Sequence, residues 1–329
     1  MPANLTPQSL EAELKFKEAR TSQERSKPLR PCERKEAGMK LKRVFSRRRF
    51  LRGVLGGLLF SLLSPKKVRV MAGSILPRTM GENRSIARLF GGEELVYEIG
   101  FWFFRRVALG RLSFKEIKGK GQYLATLQAE TLGVFGWLSH YRSDMYSATV
   151  EEIEGGRRLR PLEFEEKVTT GNQVEKRVTQ FDYVQRKWIT VYWGRDGTLQ
   201  RVEEEFPSGR VYDDFLTASY NFRYGAYGPV EKGRTYSIPA FSRKGANRYE
   251  VRVASRDEEE TQKRSGKGKE RREFFVQFRF EPEITHSREG LIEGWLSKDL
   301  LPVEGKLKDV SVIGDVKGVL VENHKQSSK

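Results

Sequence analysis

Cysteine is almost missing from this chain: Cys32 stands alone among 329 residues. That excludes an internal disulfide framework, a CxxC redox pair and a thiolate metal site. It also leaves no cysteine after the apolar stretch Gly53–Leu63 to carry a lipid. Histidine is nearly as scarce, with His140, His286 and His324 far apart and no second histidine at metal-ligand spacing from any of them. The chain has no Gly-x-Ser-x-Gly elbow, no Gly-x-x-x-x-Gly-Lys phosphate cradle and no dinucleotide fingerprint following a strand. No catalytic residue, metal or cofactor is therefore assigned. Carboxylates are plentiful, as in Glu203-Glu204-Glu205 and Asp257 to Glu260, but neighbouring acids on a strand point to opposite sides and read as surface charge. Acid–base work by paired carboxylates needs facing positions, which spacing alone does not reveal.

Long hydrophobic runs are lacking too. The apolar run Gly53–Leu63 is 11 residues long and three of them are glycine, against the roughly 20 that a membrane span requires. A basic block precedes it (Lys40, Lys42, Arg43, Arg47, Arg48, Arg49, Arg52) and Val70-Met71-Ala72 follows. Basic region, short apolar core and small residues at the cleavage site are the order of a signal peptide, cut here after Ala72. Ser46-Arg47-Arg48-Arg49-Phe50-Leu51-Arg52 fills every position of the twin-arginine export signature, through Arg47, Arg48, Phe50 and Leu51. The general secretory route is the alternative. Either way an export translocase is a transient partner, and the mature form is expected to be periplasmic or extracytoplasmic and not membrane-spanning. Residues 1–38 hold four prolines and no sustained apolar period; they read as a disordered leader, and Met39 as the true start.

The formal charge of +17 suggests nucleic acid, but it is unevenly placed. Residues 1–72 hold 18 basic and 6 acidic side chains, leaving 43 against 38 in the remainder. A mature chain so nearly balanced is an ordinary charged surface, and nucleic-acid binding is not expected.

What the mature chain does have is β structure. From Gly91 onward, Val, Ile, Tyr, Phe, Trp and Thr occur in short runs separated by glycine-bearing turns. Leu95, Tyr97, Ile99 and Phe101 share one face of a strand. Thr170-Gly171-Asn172 and Arg195-Asp196-Gly197 predict tight hairpin turns. Two stretches argue for helix: Thr131–Leu138, one turn or a tucked loop, and Asp213–Phe222, with aspartates at its start. The expected fold is mainly β: a single large curved antiparallel sheet or half-open barrel with one or two short helices, after a cleaved signal segment. The expected organisation is a leader (1–38), a signal (39–72), a linker (73–90), a β domain (91–322) with a charged mobile loop at 256–272, and a disordered tail (323–329).

The candidate site rests on aromatic excess. Phe101-Trp102-Phe103-Phe104 places bulk on both faces of a strand, Phe135 and Trp137 lie in the first helical stretch, and Tyr141 follows it. One reading is an ordinary sheet core; the other is a concave sheet whose inner face holds an apolar guest such as an acyl chain. In the second, Phe101, Phe103, Phe104, Phe135 and Trp137 line the site, and Arg105 and Arg106 meet an anionic head group at its mouth.

An ordered set of landmarks carries a family resemblance. Gly92-Glu93-Glu94-Leu95-Val96-Tyr97-Glu98-Ile99, Leu132-Gly133-Val134-Phe135 before a Tyr-Arg-x-Asp strand, and Leu159-Arg160-Pro161-Leu162-Glu163-Phe164 come first. Gln180-Phe181-Asp182-Tyr183, the Asp214–Tyr220 helix, Gly294-Trp295-Leu296-Ser297-Lys298-Asp299 and Leu301-Pro302-Val303 come next. Together they resemble the exported bacterial family known as domain of unknown function 3108. The resemblance implies a signal peptide, a mostly antiparallel sheet and a place in the cell envelope. It brings no activity, and its landmarks are packing and turn residues. The twin-arginine signal, the long leader and the charged loop depart from the family pattern. The expectation is a non-enzymatic binder or carrier of an apolar or lipid-like ligand. The alternative is an assembly factor that holds another envelope protein by a sheet edge, and a carboxylate hydrolase ranks third.

Overall fold

The computed structural model describes residues 85–325 apart from 243–244, 264–271, 286 and 311–312. The chain divides into two units, Met1–Lys67 and Val68–Lys329, and the described residues all belong to the second. The export signature (Arg47, Arg48, Phe50, Leu51), the cleavage point at Ala72 and His286 lie outside the described residues.

Among the described residues, fourteen strands form one antiparallel sheet. They are β1 (Glu93–Phe101), β2 (Phe104–Ile117), β3 (Gln122–Thr131), β4 (Ser143–Ile153), β5 (Arg158–Thr170), β6 (Gln173–Asp182), β7 (Lys187–Trp193) and β8 (Leu199–Glu205), then β9 (Thr235–Ser242), β10 (Gly245–Val253), β11 (Phe274–Arg279), β12 (Leu291–Leu296), β13 (Pro302–Val310) and β14 (Gly314–Lys325). The order across the sheet is β8-β7-β6-β5-β4-β3-β2-β1-β14-β13-β12-β11-β10-β9. Two meanders are thus joined where the first strand of one pairs with the last strand of the other. Both predicted hairpin turns are present; Gly197 takes φ 80°, and Asp196 Oδ1 accepts from Thr198 N at 3.1 Å.

The sheet curls around the helix α3 (Phe215–Tyr224). Asp214 starts it, its side chain accepting from Leu216 N and Thr217 N at 2.8 and 3.0 Å, and Gly225 at φ 90° ends it. Leu216 and Tyr220, four residues apart, pack with Phe90, Phe114, Ala125, Ala148 and Phe164. Ala218 and Phe222, offset by two positions, pack with Ile238, Val251, Val253 and Val276. A helix advances 100° per residue, so these pairs occupy opposite faces and α3 is covered on both. Phe241 of β9 meets Phe181 and Trp188 edge-on, with ring centroids 5.4 and 5.0 Å apart. One parallel bridge, Asp213 to Ala240, connects the segment after β8 to β9. The edges approach through side chains, and the sheet does not close into a barrel.

Several element boundaries differ from the sequence expectation. Residues 86–90, expected to be linker, form the helix α1 (Ile86–Phe90), whose Ile86 and Phe90 are fully buried; their i, i+4 spacing gives a single turn an apolar face. The start of the charged run 256–272 is not a loop but the helix α4 (Arg256–Lys263). Ser255 and Glu258 form a capping box in which Ser255 N donates to Glu258 Oε2 at 2.8 Å and Glu258 N donates to Ser255 Oγ at 3.4 Å. Within that run Glu259 is buried, accepting from Phe275 N at 3.1 Å and from Lys232 Nζ at 2.6 Å, so it is not surface charge. At the other end, β14 continues through Lys325, opposite Glu93, into the segment expected to be a disordered tail.

Candidate functional site

The aromatic residues singled out in the sequence do converge, but at an end of the sheet instead of on its inner face. β1 stops at Phe101 and β2 starts at Phe104, so Trp102 and Phe103 form the turn between them. The consecutive Phe-Trp-Phe-Phe is therefore a hairpin tip and not one continuous strand. Gly100 makes the tight approach possible: a Cβ there would lie 2.5 Å from the Phe104 carbonyl oxygen. Trp102 and Arg106 both take left-handed backbone, at φ 51° and 55°. This is uncommon for bulky side chains and costs about 1 kcal/mol or more each.

The second contributor is the helix α2 (Gly133–Leu138) between β3 and β4. Leu132 N donates to Val107 O at 2.8 Å, which ties the helix to β2. Thr131 Oγ1 lies 2.8 Å from Ser139 Oγ and donates to Arg142 O at 3.1 Å, closing the connection on itself. Gly136 is needed because the Tyr141 ring packs on it, 3.0 Å from where a Cβ would sit. His140 and Tyr141 also adopt left-handed backbone, at φ 54° and 52°. Gly171 N, in the β5–β6 turn, donates to His140 O at 2.7 Å and holds the loop from the other side.

Between the two lies a small ring cluster. Phe101, Phe104 and Phe135 meet with centroids 4.9 to 5.7 Å apart, tilted or edge-on, geometries that aromatic quadrupoles favour. These three are half-buried. Outside them Trp102 is 68 % exposed, Phe103 78 % and Trp137 67 %, with Val134, Leu138 and Tyr141 also more than half exposed. Arg105 is exposed, and so is Arg106, which lies 3.7 Å from Glu98. Trp137, Leu138, His140 and Tyr141 line an open cleft of about 300 Å³. The structure thus unites all seven predicted residues in one neighbourhood, with a rigid phenylalanine base and an outward aromatic layer. Val134, Leu138 and Tyr141 join them without having been expected as ligand-binding residues; their signal is their place within four residues of Trp137.

A second polar cluster, not anticipated from the sequence, lies under α3. Asp213 and Asp214 are both buried. Asp213 Oδ2 accepts from Tyr227 Oη and from Asn221 Nδ2, the latter at 3.3 Å, and lies 3.5 Å from Arg158 Nη2. Among the described residues its Oδ1 has no hydrogen-bond partner, nor does Arg158 Nε. Burial pushes the Asp213 carboxyl up to about 7, with the Arg158 guanidinium opposing the rise. Burial likewise raises Asp214 to about 6, against hydrogen bonds donated by Thr217 and Leu216. Asn221 bridges onward, accepting from Leu159 N at 2.8 Å and donating to Leu159 O at 2.9 Å. Nearby, Arg223 makes a two-pronged ion pair with Glu93, 2.7 Å on each arm, and donates to Leu300 O at 3.0 Å. These groups join α3 to β1, β5 and β9. The acids are sequence neighbours inside the packing and do not face each other across a cleft.

Comparison with known proteins adds a family. The profile of the family described as "Protein of unknown function (DUF3108)" matches residues 96–321. No curated protein matches the chain. Among solved structures it is similar to a beta-barrel-like protein of domain of unknown function DUF1849 from Brucella abortus. That likeness has 12 % identity and a TM-score of 0.41, covering 73 % of this chain and 99 % of the other. Among the described residues no helix is long and apolar enough to cross a membrane.

Proposed function

This chain belongs to the DUF3108 family of proteins of unknown function, and we propose that it is an exported, non-enzymatic binder of an apolar, lipid-like component of the cell envelope. The observation that carries the reading is the aromatic end of the sheet, where Trp102, Phe103 and Trp137 project into solvent from a braced phenylalanine base. Exposed large apolar side chains gathered in one place are costly for solubility and mark interaction sites. The four left-handed residues Trp102, Arg106, His140 and Tyr141 add backbone strain at the same place, which supports a purpose beyond packing. Periplasmic placement, by the twin-arginine signature at Arg47 and Arg48, is part of the proposal.

Native mass spectrometry of the protein taken from the periplasmic fraction of a bacterial host tests it. The expected result is a chain beginning at Gly73 with a lipid-sized adduct, and loss of the adduct in a Trp102→Ser/Phe103→Ser/Trp137→Ser variant. A bare processed mass for the native sequence overturns the binder reading and keeps the export. The second reading, an assembly factor, is favoured by one observation: β8 is a sheet edge whose side chains, Leu199 and Val202 included, are largely exposed. Val202→Pro would then abolish co-purification of a protein partner while leaving any adduct in place.

A further inference from the structure

We infer that the aromatic end docks on the surface of an anionic phospholipid bilayer, lipid lying against an open patch and not enclosed in a cavity; the inference rests on the apolar-binder reading. Enclosure is the first point. A site for one small ligand buries most of its guest in a cavity, whereas the exposed rings here sit on a projecting turn and a short helix, beside a cleft open to solvent. Such a surface suits a broad occupant. Composition is the second point. Trp102, Trp137 and Tyr141 are the side-chain types that settle at membrane–water interfaces, where a ring enters the acyl boundary and its polar edge stays wet, and Phe103 adds a purely apolar ring beside them.

Charge is the third point and selects the occupant. Residues 99–109 and 131–143 carry Arg105, Arg106 and Arg142 and not one aspartate or glutamate. Arg142 is paired with Asp144 from the adjoining strand, at 2.8 and 2.9 Å. Arg105 and Arg106 stand exposed on the rim of the apolar patch, Arg106 in loose contact with Glu98 at 3.7 Å, and both can meet lipid phosphates while the rings insert. An anionic surface complements this arrangement. Rigidity is the fourth point: the bracing contacts through Phe135, Leu132 and Gly171 fix the relative position of the two tips, so both can be presented together without an ordering cost.

Tryptophan fluorescence of the full chain, mixed with vesicles whose lipids carry brominated acyl chains, tests this. The chain has five tryptophans and none precedes Trp102, so quenching by bromine does not report contact made by the apolar segment Gly53–Leu63. Trp188 and Trp295 are buried, and Trp193 lies on β7, five strands from β2 in the sheet order. Phosphatidylglycerol vesicles are expected to quench strongly, with most of the quenching lost in Trp102→Phe/Trp137→Phe. The Arg105→Glu/Arg106→Glu variant should bind these vesicles about tenfold or more weakly, given roughly a fivefold gain for each basic residue near an anionic surface. Zwitterionic phosphatidylcholine vesicles should reproduce that weakening for the native sequence. Absence of quenching by phosphatidylglycerol vesicles overturns the docking. Monomeric brominated dodecanoate, added in parallel, separates the two claims: quenching by it alone keeps the apolar-binder reading and sinks the bilayer, and quenching by neither sinks both. Self-association in sedimentation equilibrium that is abolished by Trp102→Ser would also overturn the inference, assigning the patch to a second copy of the chain.

Discussion

Two gatherings of aromatic rings, one around α3 and one at the β1–β2 end, have opposite outcomes. Around α3, Phe90, Phe114 and Tyr220 contact one another at 4.9 to 6.4 Å and are almost completely hidden. At the β1–β2 end similar contacts among Phe101, Phe104 and Phe135 leave Trp102, Phe103 and Trp137 outside. The ring geometry is alike, and what differs is the covering element. α3 has strands of the curled sheet on both faces, while α2 is six residues long and closes over one side only. Aromatic content therefore shows where apolar surface is concentrated; whether it becomes core or contact surface depends on a second layer.

The sharpest way to break this contrast is through the groups that hold the covered side. Arg223→Ala would leave Glu93 buried and unpaired, and is expected to cost about 3–5 kcal/mol in urea unfolding; a loss under about 1 kcal/mol would show that α3 is not anchored by this pair. Phe114→Ala should lose about 3–5 kcal/mol by opening a cavity against Phe90 and Tyr220. Phe103→Ala, at the other gathering, should stay within about 0.5 kcal/mol. Similar losses at the two positions would erase the distinction between them.

A pH series sharpens the same point. Asp213 and Asp214 are raised to about 7 and about 6 in the folded chain, so each binds its proton more tightly folded than unfolded. Their contribution is fully present below the ordinary carboxyl range near 4 and is lost as pH rises through 6 to 7. Asp213→Asn should accordingly gain stability relative to the native sequence between pH 5 and pH 8, at up to about 1.4 kcal/mol per pH unit. A constant difference across that range would mean the carboxyl titrates normally. The most local effect is at α4: Glu258→Ala should remove about 1 kcal/mol or less with the capping box, detectable as faster amide exchange over 256–260.

Much of the β architecture was legible because alternation and turn chemistry are local. Leu95, Tyr97, Ile99 and Phe101 disclosed β1, and Asp196-Gly197 disclosed the β7–β8 hairpin, since both signals depend on neighbours in sequence. The α3 helix was legible from Asp214. α1 was missed because a five-residue helix carries too little periodicity to stand out. α4 was missed because its charge masked the Ser255–Glu258 cap. The aromatic residues at 101–104 lie at a turn and not along one strand face, because nothing local distinguishes a strand of four aromatics from a turn bearing two of them.

Apolar side chains at period two and turns at glycine are properties of the chain's local order, and they suffice to make this an antiparallel β protein of the DUF3108 family. The tertiary structure alone decided that β1 pairs with β14, bringing Glu94 opposite His324 from the far end of the domain, and that the sheet curls over α3 and hides Asp213. It also left the rings at Trp102, Phe103 and Trp137 uncovered. Burial depends on which distant segment comes to lie on top, and that choice is made by the summed packing of the whole sheet, which no window of the chain contains.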